Sequence, residues 1–326
     1  MKELDLKDYK ILYELDVNAR QNDSEIAKKV GLTRDSTRYR INKLVEEGYI
    51  YYFMTLINSM KLGYNWYRTF FKFQNLTIEK EKEIIDYLKE KTSWISKVEG
   101  FWDLNTGIFL ENVYEYRDFI NEFLLKYSLF IERYNVSIVT REWIYCHDYL
   151  LNKKQKTNKP ILMGFNNKSE YKAENIDKMD YKILKTILKN ARMKSIDIAR
   201  EIGTTEIVIR YRIKKLIQKG IIIGFKPFLN INKLGYTYFK LHITLQNLTK
   251  EKKNSIINNI HQHPNTIHMT ELVGGADIEC EFQVKTNEEF YQHIQELRTK
   301  FSDIIRDYKF MQYTKEYKFT YLPEIF

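Results

Sequence analysis

One half of this 326-residue chain repeats the other, so it is expected to fold as two copies of one unit. Asp8-Tyr-Lys-Ile-Leu12, Asn18-Ala-Arg20, Ile26-Ala27, Gly31, Thr33, Arg38-Tyr-Arg-Ile41, Lys43-Leu44, Gly48 and Ile50 form the first string. It returns 172 residues later as Asp180-Tyr-Lys-Ile-Leu184, Asn190-Ala-Arg192, Ile198-Ala199, Gly203, Thr205, Arg210-Tyr-Arg-Ile213, Lys215-Leu216, Gly220 and Ile222. Lys61-Leu-Gly-Tyr64 and Gln74-Asn-Leu-Thr77 recur in register at Lys233-Leu-Gly-Tyr236 and Gln246-Asn-Leu-Thr249. Function therefore has to be read from one unit, and then from the differences between the copies.

Residues 4–48 carry helical spacing: Ile11, Leu12 and Leu15 follow two aspartates suited to a helix N-terminus. A short amphipathic helix at 24–30 ends at Gly31, and Thr33 is placed to cap a third helix with Ile41, Leu44 and Val45 on one face. Gly48 closes that helix. Three helices with a glycine turn between the last two make a helix-turn-helix, whose third helix can enter a major groove.

Beyond Gly48 the period changes. A β-branched and aromatic stretch at 49–57 reads as a wing, and Lys61-Leu-Gly-Tyr64 as a joint. Strands at 66–73, 95–99, 104–110 and 132–145, with helices at 77–91 and 114–127, give the order β-α-β-β-α-β of the ferredoxin-like split βαβ pattern. Such a sheet has helices on one face and leaves the other free to pair with a second copy.

The unit resembles the Lrp/AsnC (feast/famine) transcriptional regulators. The resemblance rests on Asp5…Asp8-x-x-Ile11-Leu12…Asn18-Ala-Arg20…Ala27…Gly31-x-Thr33…Arg40-Ile41-x-x-Leu44…Gly48-x-Ile50, on Leu62-Gly63-Tyr64, and on Gly100-x-x-Asp103. It covers nearly the whole chain, because the second unit matches as well. It implies DNA-binding domains, each followed by a ferredoxin-like domain that dimerises, and a small-molecule effector such as an amino acid.

The fold class expected is α+β, a tandem repeat of two winged helix-turn-helix domains alternating with two ferredoxin-like (βαββαβ) domains. The boundaries are 1–57 and 61–147 for the first unit, 148–175 for a linker, and 176–231 and 233–322 for the second unit. Residues 152–175 carry six Lys, two Glu and one Pro and read as an exposed tether, with Ile161-Leu-Met163 as an apolar anchor. Two ferredoxin-like domains in one chain can pair internally as a pseudo-dimer.

DNA reading belongs on the third helix of each head, where Arg and Lys hold phosphates and a few side chains read bases. The first head offers Thr33, Arg34, Asp35, Ser36, Arg38, Tyr39, Arg40, Asn42 and Lys43; the second offers Thr205, Arg210, Tyr211, Arg212, Lys214 and Lys215. Arg suits guanine, Asn suits adenine, and Asp accepts from cytosine. At the positions of Arg34, Asp35, Ser36 and Asn42 the second head has Glu206, Ile207, Val208 and Lys214, a poorer set for base readout. Charge runs the other way. Residues 1–50 hold ten Lys and Arg against ten Asp and Glu, whereas residues 176–222 hold twelve against five. The second head is thus expected to supply phosphate affinity and the first discrimination. Arg40 and Arg212 either brace the helices or reach phosphate, and Tyr39 and Tyr211 either pack on the wing or reach DNA. Gly100, Asp103, Gly274 and Asp277 either simply form turns or, as the resemblance implies, lie near effector pockets and interfaces.

The formal net charge of +10 favours a polyanionic partner, double-stranded DNA first. Two cysteines, Cys146 and Cys280, exclude a disulfide framework. His261-x-His263 lacks a third metal ligand by spacing, and no phosphate-cradling loop or nucleophile elbow is present, so no cofactor and no enzyme activity are expected. Without a secretory h-region or an apolar run long enough for a membrane helix, a cytoplasmic protein is expected. Two other functions fit the same frame. One is a tetrapyrrole enzyme resembling the fused sirohaem decarboxylases, against which stands the lack of a matched His and Arg pair for substrate carboxylates. The other is a sensor or assembly protein that has lost DNA binding, a reading that Ile207 and Val208 keep open.

Overall fold

The structure, a computed structural model, describes residues 4–167 and 171–323. Asp5 opens helix α1 (Leu6–Val17) with a reciprocal capping box to Asp8, and Asn22 does the same for α2 (Asp23–Val30). Gly31 ends α2 at φ 68, a left-handed turn that glycine makes without a Cβ clash. Thr33 then accepts from the Ser36 amide to cap α3 (Arg34–Glu46). The apolar face of the three helices closes over Ile11, Leu12, Leu15, Ile26, Ile41 and Leu44.

The chain continues through β1 (Ile50–Ile57), β2 (Asn65–Phe73), α4 (Ile78–Lys91), β3 (Trp94–Gly100), β4 (Leu104–Leu110), α5 (Val113–Tyr127) and β5 (Ile131–Ile144). A short strand, β6 (Ile161–Gly164), precedes the second head, α6 (Lys178–Ile187), α7 (Ser195–Ile202) and α8 (Glu206–Gln218). Then come β7 (Ile222–Leu229), β8 (Thr237–Leu245), α9 (Lys250–Gln262), β9 (Thr266–Val273), β10 (Ile278–Val284), α10 (Asn287–Lys300) and β11 (Ile305–Phe319).

The wings do not close on their own heads. β1 pairs antiparallel with β7 of the other copy, from Ile50 opposite Leu229 to Ile57 opposite Ile222, and Tyr52 stacks on Phe228 at 4.8 Å. One ribbon therefore joins the two heads.

The pseudo-dimer forms through sheet edges as well as facing sheets. Each copy keeps the ferredoxin-like order, β5-β2-β4-β3 and β11-β8-β10-β9. β3 then pairs with β11 and β9 with β5, so eight strands close into a ring, with β6 added on β5. Closure depends on the length of β5 and β11, 14 and 15 residues. The first part of each pairs within its own copy; the second part crosses to the other. The pairing register shifts at equivalent points, Thr140 and Thr314, whose hydroxyls donate to the Glu271 and Lys97 carbonyls of the opposite copy.

Much of the stretch expected to be a tether is docked. Asp148, Tyr149 and Leu150 are buried, and Lys156, 4% exposed, donates to the Cys146 and Pro264 carbonyls at 2.6 and 2.8 Å. Composition marked the linker lysines as solvated, which holds for Lys154, Lys159 and Lys172, but Lys156 is satisfied by these carbonyls and Lys153 by Tyr13 of the first head. Ile161–Gly164, expected as an anchor, is the strand β6. Lys168, Ser169 and Glu170 of the linker lie outside the described residues.

Candidate nucleic-acid interface and the seam behind it

The polar face of α3 points away from the core. Arg34, Asp35, Arg38 and Asn42 are exposed, as is Tyr39 at 67%, so the tyrosine does not pack on a wing. On α8, Arg210, Lys214 and Lys215 are exposed with Tyr211 at 64%, and Ile207 stands 80% exposed beside them. An aliphatic side chain so bare gives the second head a surface with little hydrogen-bonding capacity between its cations. Thr33 and Thr205 serve as N-caps, Thr205 accepting from the Val208 amide. Ser36 is half-buried and Lys43 pairs with Glu47 at 3.6 Å.

Arg40 and Arg212 act as braces. Arg40 Nη1 donates to Asp5 and to Asp8 Oδ1 at 2.7 Å, and Arg212 Nη1 donates to Asp177 at 2.7 Å and to Asp180 at 2.8 Å. Each ties the third helix to the N-terminus of the first. The Asp180 amide, and then Arg212, hold the Asp177 carboxyl below its usual value against a small desolvation. The same motif residues do the same work in both heads.

Asn18-Ala-Arg20 and Asn190-Ala-Arg192 form the seam between heads. The Ala19 amide donates to the Phe225 carbonyl on β7, and the Ala191 amide to Phe53 on β1. Arg20 reaches the Ala191 carbonyl, and Arg192 reaches those of Ala19 and Gln21. The exchange is not symmetrical. Arg192 Nη2 also pairs with Asp23, whose other oxygen holds Arg38 at 2.8 Å, whereas the position equivalent to Asp23 is Ser195. Arg210 turns instead to Glu206 on its own helix, at 2.6 Å.

A second asymmetric cluster lies behind the first head. Asp16 Oδ1 is 2.6 Å from Lys226 Nζ and 2.8 Å from His147 Nδ1. Burial opposes its charge, but His147 and Lys226 hold the Asp16 carboxyl well below its usual range. Burial pushes the imidazole of His147 down against that carboxylate, so Lys226 is the counter-charge, and the His147 backbone amide donates to Asp16 Oδ2 at 2.7 Å.

The glycine turns also lie on the seam. Gly100, at φ 131, and Gly274, at φ 83, would each place a Cβ 2.8 Å from a carbonyl of the opposite copy, Phe310 and Val136 respectively. Asp103 accepts from the Phe73 amide and Lys72, and Asp277 from the Leu245 amide. These four residues fix strands at the interface between copies. Among the described residues no group of three or more His, Cys, Asp or Glu could hold a metal, and no helix is long and apolar enough to cross a membrane. Both cysteines are buried, and burial pushes the Cys146 thiol up to about 11.

A family model described as winged helix-turn-helix DNA-binding matches residues 4–51 and 176–223. The HTH-type transcriptional regulator Ptr1 of Methanocaldococcus jannaschii is 30% identical over 105 residues, 32% of this chain and 70% of that protein. The chain belongs to the Lrp/AsnC family. Consistent with this, the regulator LrpA of Pyrococcus horikoshii is 42% identical over 62 residues, 19% of this chain and 44% of its own length. The whole tandem fold has a solved counterpart in the siroheme decarboxylase NirDL, with a TM-score of 0.63 over 96% of this chain and 93% of that one. At 14% identity that likeness concerns architecture alone.

Sequence reasoning missed the seam and the buried clusters. The repeated Asn-Ala-Arg was visible, but its contacts join residues 171 and 173 apart. The signal that could have exposed the Asp16 cluster is the comparison of copies. Asp16 and Lys226 are acid and base where the partner copy has Leu188 and Met54.

Proposed function

We propose that the chain is a DNA-binding transcriptional regulator with two non-identical reading heads held by one pseudo-dimer. The observation that carries this reading is the exposed face of α3, with Arg34, Asp35, Arg38, Tyr39 and Asn42 free of the core. Arg and Asn there suit guanine and adenine edges. On α8, cations without base-reading partners suit phosphates. The shared ribbon and the arginine seam hold the heads in one relation, so the preferred DNA site is asymmetric.

An electrophoretic shift on random duplex DNA at rising salt tests the reading. Affinity falls steeply with salt for wild type. Arg210→Ala lowers the salt slope by about one with little change in sequence preference, while Arg38→Ala relaxes that preference. A flat salt response contradicts the proposal, and equal effects of both substitutions on affinity and preference contradict the division of labour.

A decarboxylase reading has the NirDL fold in its favour. In the space between the wing ribbon and the ring of strands, Glu142, Glu281 and Glu316 oppose a substrate held by its carboxylates, and of the lining lysines Lys226 is taken up by Asp16 while Lys315 stands beside Glu316 in sequence. Arg68 there is already bound by Glu142 and Glu279. A visible spectrum unchanged on incubation with tetrapyrrole is the expected result. We further propose that whole chains associate through the ferredoxin-like domains at α4 and α5, where Ile78 and Leu125 are exposed; light scattering tests this.

A further inference from the structure

The charges inside the ring of strands do not balance. Arg68 on β2 and its equivalent Lys240 on β8 face four carboxylates: Glu142, its equivalent Glu316, and the neighbouring Glu279 and Glu281. The excess arises from the second copy, which carries Glu279 and Glu281 where the first has Asn105 and Gly107. Lys240 pairs with Glu279 and Glu281, at 2.8 and 3.0 Å. Arg68 bridges Glu142 and Glu279, at 2.9 and 2.8 Å. Among the described residues no ion pair reaches Glu316, the position that Arg68 satisfies in the other copy. His242 lies 3.7 Å from Glu279, but burial drives it down to about 4, so it adds no charge at neutral pH. His268 lies 3.1 Å from Glu142.

Glu142 and Glu316 both line a cavity of about 620 Å³ between this cluster and the β1–β7 ribbon. That is the size of a site for a small organic molecule. Glu142 is buried, and among the described residues its Oε2 has no hydrogen-bond partner. Glu316, unlike Glu142, is exposed, and it lines the cavity. Desolvation, then the charge of Glu281, raise its carboxyl to about 8, with Lys189 and the Trp94 side chain opposing, so at neutral pH it gives up its proton when a cation joins it. Trp66, Trp94, Tyr52, Phe228, Phe319 and Tyr321 supply aromatic walls; Lys226, taken up by Asp16, and Lys315 line the cavity as well. Aromatic faces attract cations, and a buried carboxylate is stable only when paired. Arg68 Nε, also unpartnered, belongs to a guanidinium already offset by two carboxylates.

We propose that this cavity binds a small organic ammonium, a primary amine on an apolar or aromatic body, with Glu316 and Glu142 as its counter-charges. The amine completes the pairing that the second copy lacks, and its body fills the aromatic space against Tyr52 and Phe228. Because those rings belong to the ribbon joining the heads, the ligand touches the element that sets their relation. As a regulator's effector site it rests on the DNA-binding reading; as a binding site it does not.

Binding is therefore measured without DNA, on the full chain, by tryptophan fluorescence and calorimetry with phenethylamine as probe. Trp66 and Trp94, two of the four tryptophans, line the cavity. Saturable one-to-one binding is expected, with phenylacetate, the same body bearing a negative charge, failing to saturate. Glu316→Gln, which breaks no ion pair, keeps the circular dichroism melting curve of wild type and weakens phenethylamine by at least about tenfold. Absence of saturation, binding of phenylacetate as tight as the amine, or unchanged affinity in Glu316→Gln overturns the proposal. DNA shifts are recorded separately, so loss of the regulator reading leaves this result standing.

Discussion

Arg192 of the second head lies 2.6 Å from Asp23 of the first, and the same carboxylate holds Arg38 of the exposed α3 face by its other oxygen. One acid thus links an exposed cation of α3 to the joint between heads, and Ser195 leaves the reverse link unmade. Arg192→Ala is expected to cost about 2–3 kcal/mol in urea unfolding, since charged hydrogen bonds to Asp23 and two carbonyls are lost together. A loss below about 0.5 kcal/mol would mean that the seam is a surface contact.

Asp16 and Lys226 offer an internal control. Asp16→Asn leaves Lys226 buried without its counter-charge, with an expected cost of about 3–5 kcal/mol. The other copy shows that the fold accepts Leu188 and Met54 at these positions. The double substitution Asp16→Leu/Lys226→Met should therefore recover most of that stability. Chemical denaturation of the three proteins measures this, and a double variant no better than Asp16→Asn would refute it.

Gly274→Ala and Gly100→Ala should destabilise by about 2 kcal/mol or more, because each forces a side chain into positive φ and against a carbonyl of the other copy. Gly48→Ala, also at positive φ but with open space around it, should lose less. Melting temperatures of the three decide. Equal shifts would assign the effect to local strain and not to the seam.

The buried histidines should cost stability on mild acidification, against Glu316, whose raised carboxyl gains stability as pH falls from about 8. Burial lowers His242 to about 4 and His263 to about 3, while the unfolded chain titrates near 6.5. A depressed pKa contributes nothing unfavourable above 6.5, where both states are neutral. Below it the unfolded state takes up the proton first, at about 1.4 kcal/mol per pH unit for each group. Between pH 7.5 and 5 the urea midpoint of wild type should lose more, or gain less, than that of His242→Gln, the difference being the histidine's share. An identical pH slope in the variant would contradict the assignment.

The helix-turn-helix frame was legible because its determinants are local: Asp5, Asn22 and Thr33 cap, Gly31 turns, and Ile41 and Leu44 recur at helical spacing. The βαββαβ order followed from period changes for the same reason. Ring closure was hidden, since edge pairing of β3 with β11 depends on strand length beyond a register shift at Thr314. Lys156 looked solvated because a lysine's burial is decided by carbonyls distant in sequence. The exposed faces of α3 and α8 were legible by position, but the ties of Arg40 and Arg212 to the aspartates emerge only from the distances.

The central claim is that two different heads read one stretch of DNA. Selection of bound duplexes from a random library, followed by sequencing, tests it most directly. The account predicts an enriched asymmetric site, with strong base preference on one half and little on the other. A palindromic site with equal preferences, or no enrichment at all, would contradict it.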